Sequence, residues 1–250
     1  MNNAKLSAQL SSALQLTLAP VAIAFPDAAP AGVAPFEGVV PAGCAFWQHA
    51  TRRVFLTAAK DHALCAIGVH THHLANPVPA HQTELADTLK AMSGLDYVRA
   101  EEVGALPVLR REVKHVLYGP LGEFPAEPQI VLIFAHARQG LILSEAVARI
   151  DSGAPPALGR PACAAVPQAL NHGNAALSLG CCGARAYLDA LDDSVALWAL
   201  PGAKLERYCA EITTLARANQ TLAQFHERRR AEVEAGKRPT VKESLNRLSS

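Results

Sequence analysis

A single α/β domain with a mixed central sheet flanked by helices is what this sequence predicts, with α+β as the variant of that class. Three observations predict it. Short runs of branched apolar residues alternate along the chain with apolar stripes at helical spacing. One run, residues 129–135 (Gln-Ile-Val-Leu-Ile-Phe-Ala), is bounded by Pro128 and His136 and is almost unbroken, as strands are when a sheet is covered on both faces. The chain has 250 residues, half of them apolar and only 18% charged, which suffices for one large core.

Leu6, Leu10, Ala13 and Leu14 recur at helical spacing, so the chain opens with an amphipathic helix that Pro20 stops. Residues 21–25 (Val-Ala-Ile-Ala-Phe) follow as a short buried strand. Pro, Gly and Ala dominate residues 26–41, a loop that delivers Cys44. Residues 53–57 (Arg-Val-Phe-Leu-Thr) form another strand before the turn that carries Cys65. In residues 69–73 (Val-His-Thr-His-His), a strand would set His70 and His72 on one face and His73 on the other. Residues 82–92 read as a helix with Gly94 as its stop. A weak alternation over residues 112–118 ends at Gly119-Pro120. Beyond the strand at 129–135, residues 138–150 are helical. A second Gly/Pro loop, residues 151–161, delivers Cys163. Residues 175–179 and 195–200 are strands, the first ending at Gly-Cys-Cys-Gly and the second closed by Pro201-Gly202. Leu205, Tyr208, Cys209, Ile212, Leu215 and Ala216 make one stripe on a long helix, expected over residues 205–222. From residue 227 the chain turns polar and is expected to fray. The expected organisation is one domain over residues 1–226 and a polar tail over residues 227–250.

A formal net charge of +1 supplies no global attraction for nucleic acid or an anionic membrane surface. No stretch approaches the roughly 18 unbroken apolar residues of a membrane span. The apolar run near the N-terminus is interrupted by Gln9, Ser11, Ser12, Gln15 and Thr17, unlike the core of a secretory signal. The expectation is a cytoplasmic protein, in which six cysteines serve as thiols or metal ligands rather than as disulfides. Dinucleotide, Walker A, nucleophile-elbow and His-Glu-x-x-His signatures are absent.

Four cysteines stand beside turn chemistry: Cys44, Cys65, Cys163 and Cys181. Thiolates are the soft ligands of zinc and iron–sulfur clusters, and four close a tetrahedral or cubane site. No Cys-x-x-Cys pair occurs among them, whereas structural zinc sites generally use such pairs. On residue types alone, four buried structural cysteines is the simpler account, since free cysteine is often buried. Cys209 lies on the apolar stripe of the last long helix and reads as a small core residue. Cys182 is a spare ligand, a resolving thiol or neither.

Several phrases in order resemble one family. They are Pro20-Val21-Ala22-Ile23-Ala24-Phe25, then Cys44 with Trp47 and Ala50, and Leu56-Thr57-Ala58 through Asp61-His62 to Cys65. Val131-Leu132-Ile133-Phe134 and Cys163 follow, and Ser178-Leu179-Gly180-Cys181-Cys182-Gly183-Ala184-Arg185 is similar to a closing Cys-x-Gly-x-Arg phrase. Together, over about residues 6–201, they resemble the uncharacterised DUF169 family. The resemblance implies an architecture and a site rather than a reaction. It implies metal ligation by Cys44, Cys65, Cys163 and Cys181, with a [4Fe–4S] cluster favoured over zinc. His62, His70 and Arg185 are the candidates to contact that site or its ligand. The expected function is redox or Lewis-acid chemistry on a small molecule, and a non-catalytic redox or metal sensor or a structural zinc protein is the alternative. Partners would be a small-molecule ligand or a redox partner protein, not nucleic acid or membrane, and a homodimer is compatible with all of this.

Overall fold

The computed structural model describes residues 2–246. In chain order the elements are α1 (Asn3–Leu14), β1 (Val21–Ala24), α2 (Ala45–Ala50), β2 (Phe55–Thr57), α3 (Ala66–Thr71), α4 (Pro79–Gly94), α5 (Ala100–Val103), β3 (Val116–Pro120) and β4 (Ile130–His136). There follow α6 (Ala137–Ile150), β5 (Ala157–Leu158), α7 (Ala165–His172), β6 (Ala176–Ser178), α8 (Cys182–Tyr187), β7 (Val195–Pro201), α9 (Leu205–Glu234) and α10 (Val241–Asn246).

The seven strands form one mixed sheet in the order β2-β3-β1-β4-β7-β6-β5. Only the β5–β6 pair is parallel. β4 is central, paired with β1 on one side and along its whole length with β7 on the other. Successive strand side chains point to opposite faces. Ile130, Leu132 and Phe134 enter one core, while Val131, Ile133 and Ala135 enter the other. Both faces are covered, which is why the run carries no alternating polar residues. The expected α/β domain with a mixed central sheet is the observed fold.

One face is covered by α1, α6 and α9, with Leu6, Leu10, Leu143, Val147, Leu205 and Ile212 in its core. The other carries α2, α7 and the turns around them, with Phe46, Trp47, Val166 and Ala169 in its core. Cys44 and Cys163 belong to this second face and Cys209 to the first, so the sheet stands between them.

Two local expectations change. Residues 69–73, expected as a polar loop of exposed histidines or as a strand pairing His70 with His72, are neither: α3 covers Ala66–Thr71, so His70 points outward and is exposed while His72 is buried. A residue step of about 100° in a helix separates side chains that a strand would align. The last helix does not end near residue 222 but continues to Glu234. Leu222, Ala223, Gln224 and the Glu/Arg-rich turns that follow are strong helix formers. Arg229 ties that segment to the chain beyond it through Pro239 O (3.1 Å) and Ser244 Oγ (3.0 Å). Among the described residues, no helix is long and apolar enough to cross a membrane.

Candidate functional site

Four turns bring four thiols to one place. Cys44 and Cys65 immediately precede α2 and α3, and Cys65 Sγ accepts the Gly68 amide at 3.3 Å. Cys181 precedes α8, with its Sγ accepting the Ala184 amide at 3.4 Å. Cys163 lies in the 3-10 turn Ala162–Ala164 that leads into α7. All four line a single cavity of about 760 Å³. Cys44 and Cys163 are buried, and Cys65 and Cys181 are half-buried. Cys182 is exposed and lines the same cavity.

The electrostatics report the same proximity. Burial pushes the Cys44 thiol up to about 12, helped by Cys65 and Cys181. Burial and then Cys65 drive Cys163 well above the ordinary thiol range, against a hydrogen bond from Thr71. Cys65 is raised chiefly by burial and pulled back by the Gly43 and Gly68 amides, while Cys181 and the Glu84 carboxylate add to the rise. Buried thiols within one another's field stay protonated, so a metal entering here must release protons. Among the described residues, no group of three or more His, Cys, Asp and Glu is arranged to hold a single metal ion. The thiols share a cavity wall without closing on one ion.

Behind the thiols is a layer of buried polar groups. His62 is 1% exposed; its Nε2 lies 3.3 Å from Thr57 Oγ1, and its Nδ1 has no partner. Gly43 and Gly68 leave room for this imidazole. A Cβ on Gly43 would meet His62 Nδ1 at 2.8 Å and Cys65 Sγ at 3.6 Å, and one on Gly68 would meet the same two atoms at 3.4 and 3.0 Å. His81 is hydrogen-bonded to the His62 carbonyl through Nε2 at 3.2 Å. His72 Nδ1 bonds Gly68 O at 2.9 Å, leaving its Nε2 unpartnered. Burial lowers the two imidazoles, to about 3 for His62 and about 4 for His72, so both are neutral. The Tyr118 hydroxyl on β3 is fully buried and unpartnered, and burial raises it, with Cys163, Cys65 and Cys44 adding to the rise.

Of the expected neighbours, then, His62 adjoins Cys65. His70 lines a separate 280 Å³ pocket with His73 and His81, because the helix turns it away. Arg185 is not among the residues lining the cavity. Its guanidinium donates to the carbonyls of Leu179, Leu191, Asp192 and Val195, clamping the turn that carries Cys181. His136 and Arg138, which follow the central strand, line a groove with α1 and α9 instead.

The outer wall of the cavity comes from the arm formed by α4, α5 and their connections. Of the α4 residues only His81 is buried, and Leu89 and Met92 face the cavity. Glu84, Asp87 and Thr88 line it from the same helix, Tyr97, Val98 and Leu106 from beyond it, and Arg160 from the opposite loop. Sequence reasoning found the helix but not this use of it. The signal was present: Leu85, Leu89 and Met92 make a stripe at helical spacing that no core absorbs.

Comparison with known proteins agrees with the phrase order. The family model for DUF169, described as uncharacterised ArCR, matches residues 9–211. No curated protein and no solved structure matches the chain. The match covers every strand of the sheet and all five cavity-lining thiols, Cys182 included, and ends within α9. On that span, the chain belongs to the DUF169 family.

Proposed function

We propose that Cys44, Cys65, Cys163 and Cys181 hold a [4Fe–4S] cluster at one wall of the cavity, and that the cavity admits a small molecule to it. The observation that carries this reading is convergence. Thiols up to 137 residues apart in the chain (181 − 44) line one cavity on one side of the sheet, while Cys209 lies across it.

Two features support the fit. The donor set is four soft thiols, the set that iron–sulfur clusters use. Zinc would draw the same sulfurs to about 4 Å apart and a cube to roughly 6–7 Å, so the choice between them falls to the metal assays. The Tyr118 hydroxyl and His62 Nδ1 are buried without partners beside the thiols. Orphaned buried polar atoms cost stability; the Tyr118 hydroxyl is a donor, His62 Nδ1 is one in the tautomer whose Nε2 accepts from Thr57, and the sulfides of a cluster are acceptors that a bare cation lacks.

Held by all four thiolates such a cluster would supply electron transfer, and a Lewis-acidic iron corner would need one of the four to leave its iron. On the core side, the fully buried Phe46, packed on His62, and Tyr118, within the field of three of the thiols, would keep water away, while the cavity side stays open. The cavity beside the thiols favours an enzyme acting on a small molecule over a sensor, which would present its cluster on an exposed apolar patch. Cytoplasmic location belongs to the same proposal, since free thiols persist in a reducing compartment. Anaerobic purification followed by an absorption spectrum and iron and sulfide assays tests it. A brown protein with matched iron and acid-labile sulfide is expected. A colourless protein containing zinc, or no metal after anaerobic reconstitution, overturns it.

A further inference from the structure

The cavity has a charge pattern as well as a shape. Its volume, about 760 Å³, lies in the range of small-molecule sites. Leu64, Ile67, Leu89, Met92, Val98 and Leu106 give it an apolar lining. Four charged side chains line it: Glu84, Asp87, Glu102 and Arg160. Arg160 is already engaged. Its Nη1 lies 3.7 Å from Glu102 Oε1, its Nη2 donates to the Tyr97 carbonyl, and its guanidinium stacks 5.0 Å over the Tyr97 ring. The Arg160–Glu102 pair is therefore balanced in charge at the half-exposed rim of the cavity.

Glu84 and Asp87 are left over. They stand one helical turn apart on α4, on the same face as Thr88. Among the described residues neither has a hydrogen-bond or ion-pair partner, in contrast to Glu102. Glu84 is half-buried and reaches the field of the Cys65 sulfur, which places its carboxylate at the thiol end of the cavity. Glu84 lies within the cleft and Asp87 at its exposed rim, and two unpaired carboxylates on one wall give that side of the cleft a negative potential. Metal-bound thiolates on the opposite wall would deepen it.

We infer that the cavity takes a small organic cation, an apolar body carrying a protonated amine, with the amine set between Glu84, Asp87 and the thiol wall. This rests on the reading that the cavity admits a small molecule, and it adds the chemical class. A ligand carboxylate would meet Glu84 and Asp87 without a free cation to receive it. The apolar body lies against Leu89 and Met92 under the α4 arm, and Tyr97 closes the far side.

Three probes of nearly equal shape test the charge. They are 4-phenylbutylamine, 4-phenylbutanol and 4-phenylbutyrate, titrated into the full-length protein by calorimetry. The amine should bind about tenfold more tightly than the acid, with the alcohol between, a modest effect for two partly screened carboxylates. Glu84→Gln with Asp87→Asn should collapse that preference, and both sites are on the outer helix, where the isosteric amides leave folding intact. Equal binding of amine and acid, preference for the acid, an unchanged preference in the double variant, or no binding of any probe overturns the inference. Iron and sulfide are measured in the same samples. Metal-free protein that still selects the amine sinks the cluster and leaves this inference standing; iron-bearing protein without selection does the reverse.

Discussion

In Gly43→Ala the added methyl would stand 2.8 Å from His62 Nδ1, 3.3 Å from His62 Cε1 and 3.6 Å from Cys65 Sγ. Ordinary contact begins near 3.4 Å, so the imidazole or the chain must give by about 0.6 Å (3.4 − 2.8). His62 has little freedom to give. It is 1% exposed, packs 4.7 Å from the Phe46 ring, contacts Thr57 and is held at its carbonyl by His81. Gly43 has no left-handed backbone requirement, so the cost is steric. Overpacking of this kind costs about 1–3 kcal/mol. A urea unfolding midpoint measured against wild type reads it. The control is Gly104→Ala, where φ is −69° and no atom lies within 4 Å; it should be neutral or gain up to about 1 kcal/mol. Because the imidazole that must shift adjoins Cys65, Gly43→Ala should also bind less iron and sulfide than Gly104→Ala. If both alanines leave the midpoint where wild type has it, the packing argument behind the thiols is wrong.

Other outcomes follow from the same geometry. His62 and His72 stay neutral when folded, at about 3 and about 4, whereas an unfolded imidazole titrates near 6.5. The unfolded chain then takes up protons that the folded one refuses. Stability is full above about pH 6.5 and falls as the pH drops toward the folded values, by up to about 1.4 kcal/mol per pH unit per imidazole; a midpoint that is flat between about pH 7 and about pH 5 would refute this. Asp151 is buried and accepts from Lys204 Nζ (2.7 Å), the Tyr208 hydroxyl (2.8 and 2.9 Å) and the Ala175 amide (2.8 Å). Asp151→Asn leaves Lys204 uncompensated and should cost about 3 kcal/mol by thermal or urea unfolding, and a loss under about 1 kcal/mol contradicts the account. Tyr118→Phe removes an orphaned buried hydroxyl, so the metal-free protein should keep its stability to within about 1 kcal/mol. In iron-bearing protein the same change should move the reduction midpoint to more negative values, as loss of a donor to cluster sulfur does, and an unmoved midpoint separates Tyr118 from the cluster. Cys163→Ser should lose iron and sulfide while Cys209→Ser keeps both, and the opposite pattern would remove the four-thiol assignment.

Much of the fold was legible because the signals are local. The uninterrupted run in β4 declared a strand covered on both faces, and the two side-chain sets of that strand do enter two separate cores. The stripe from Leu205 to Ile212 declared the helix that covers one of them. The histidines around the end of α3 were not legible, since Val-His-Thr-His-His reads as a polar loop or an alternating strand while Val69–Thr71 are helical and His72 and His73 lie in the turn that follows. The helical end of the chain was hidden for the opposite reason. Residues 223–234 carry propensity without an apolar stripe, and propensity alone seldom decides a helix in isolation.

For the candidate site, the residue types and their turns were in the sequence and the meeting point was not. Cys44, Cys65, Cys163 and Cys181 were picked out by neighbouring glycines, prolines and family phrases, and Cys209 by its place on an apolar stripe. Only the sheet order could put the first four on one side and Cys209 on the other, because faces are assigned by strand pairing across up to 111 residues (132 − 21). Arg185 shows the limit from the other direction. Its position in the closing phrase points to the thiols, but four backbone carbonyls brought round by the 179–195 turn claim its guanidinium. The cavity itself, with Glu84 and Asp87 unpaired beside it, exists only because α4 packs over α3 while its apolar stripe finds no core to enter. Composition and spacing determine which local structures and ligand atoms a chain can offer. Which of them face one another depends on long-range packing, and that is decided only when the sheet closes.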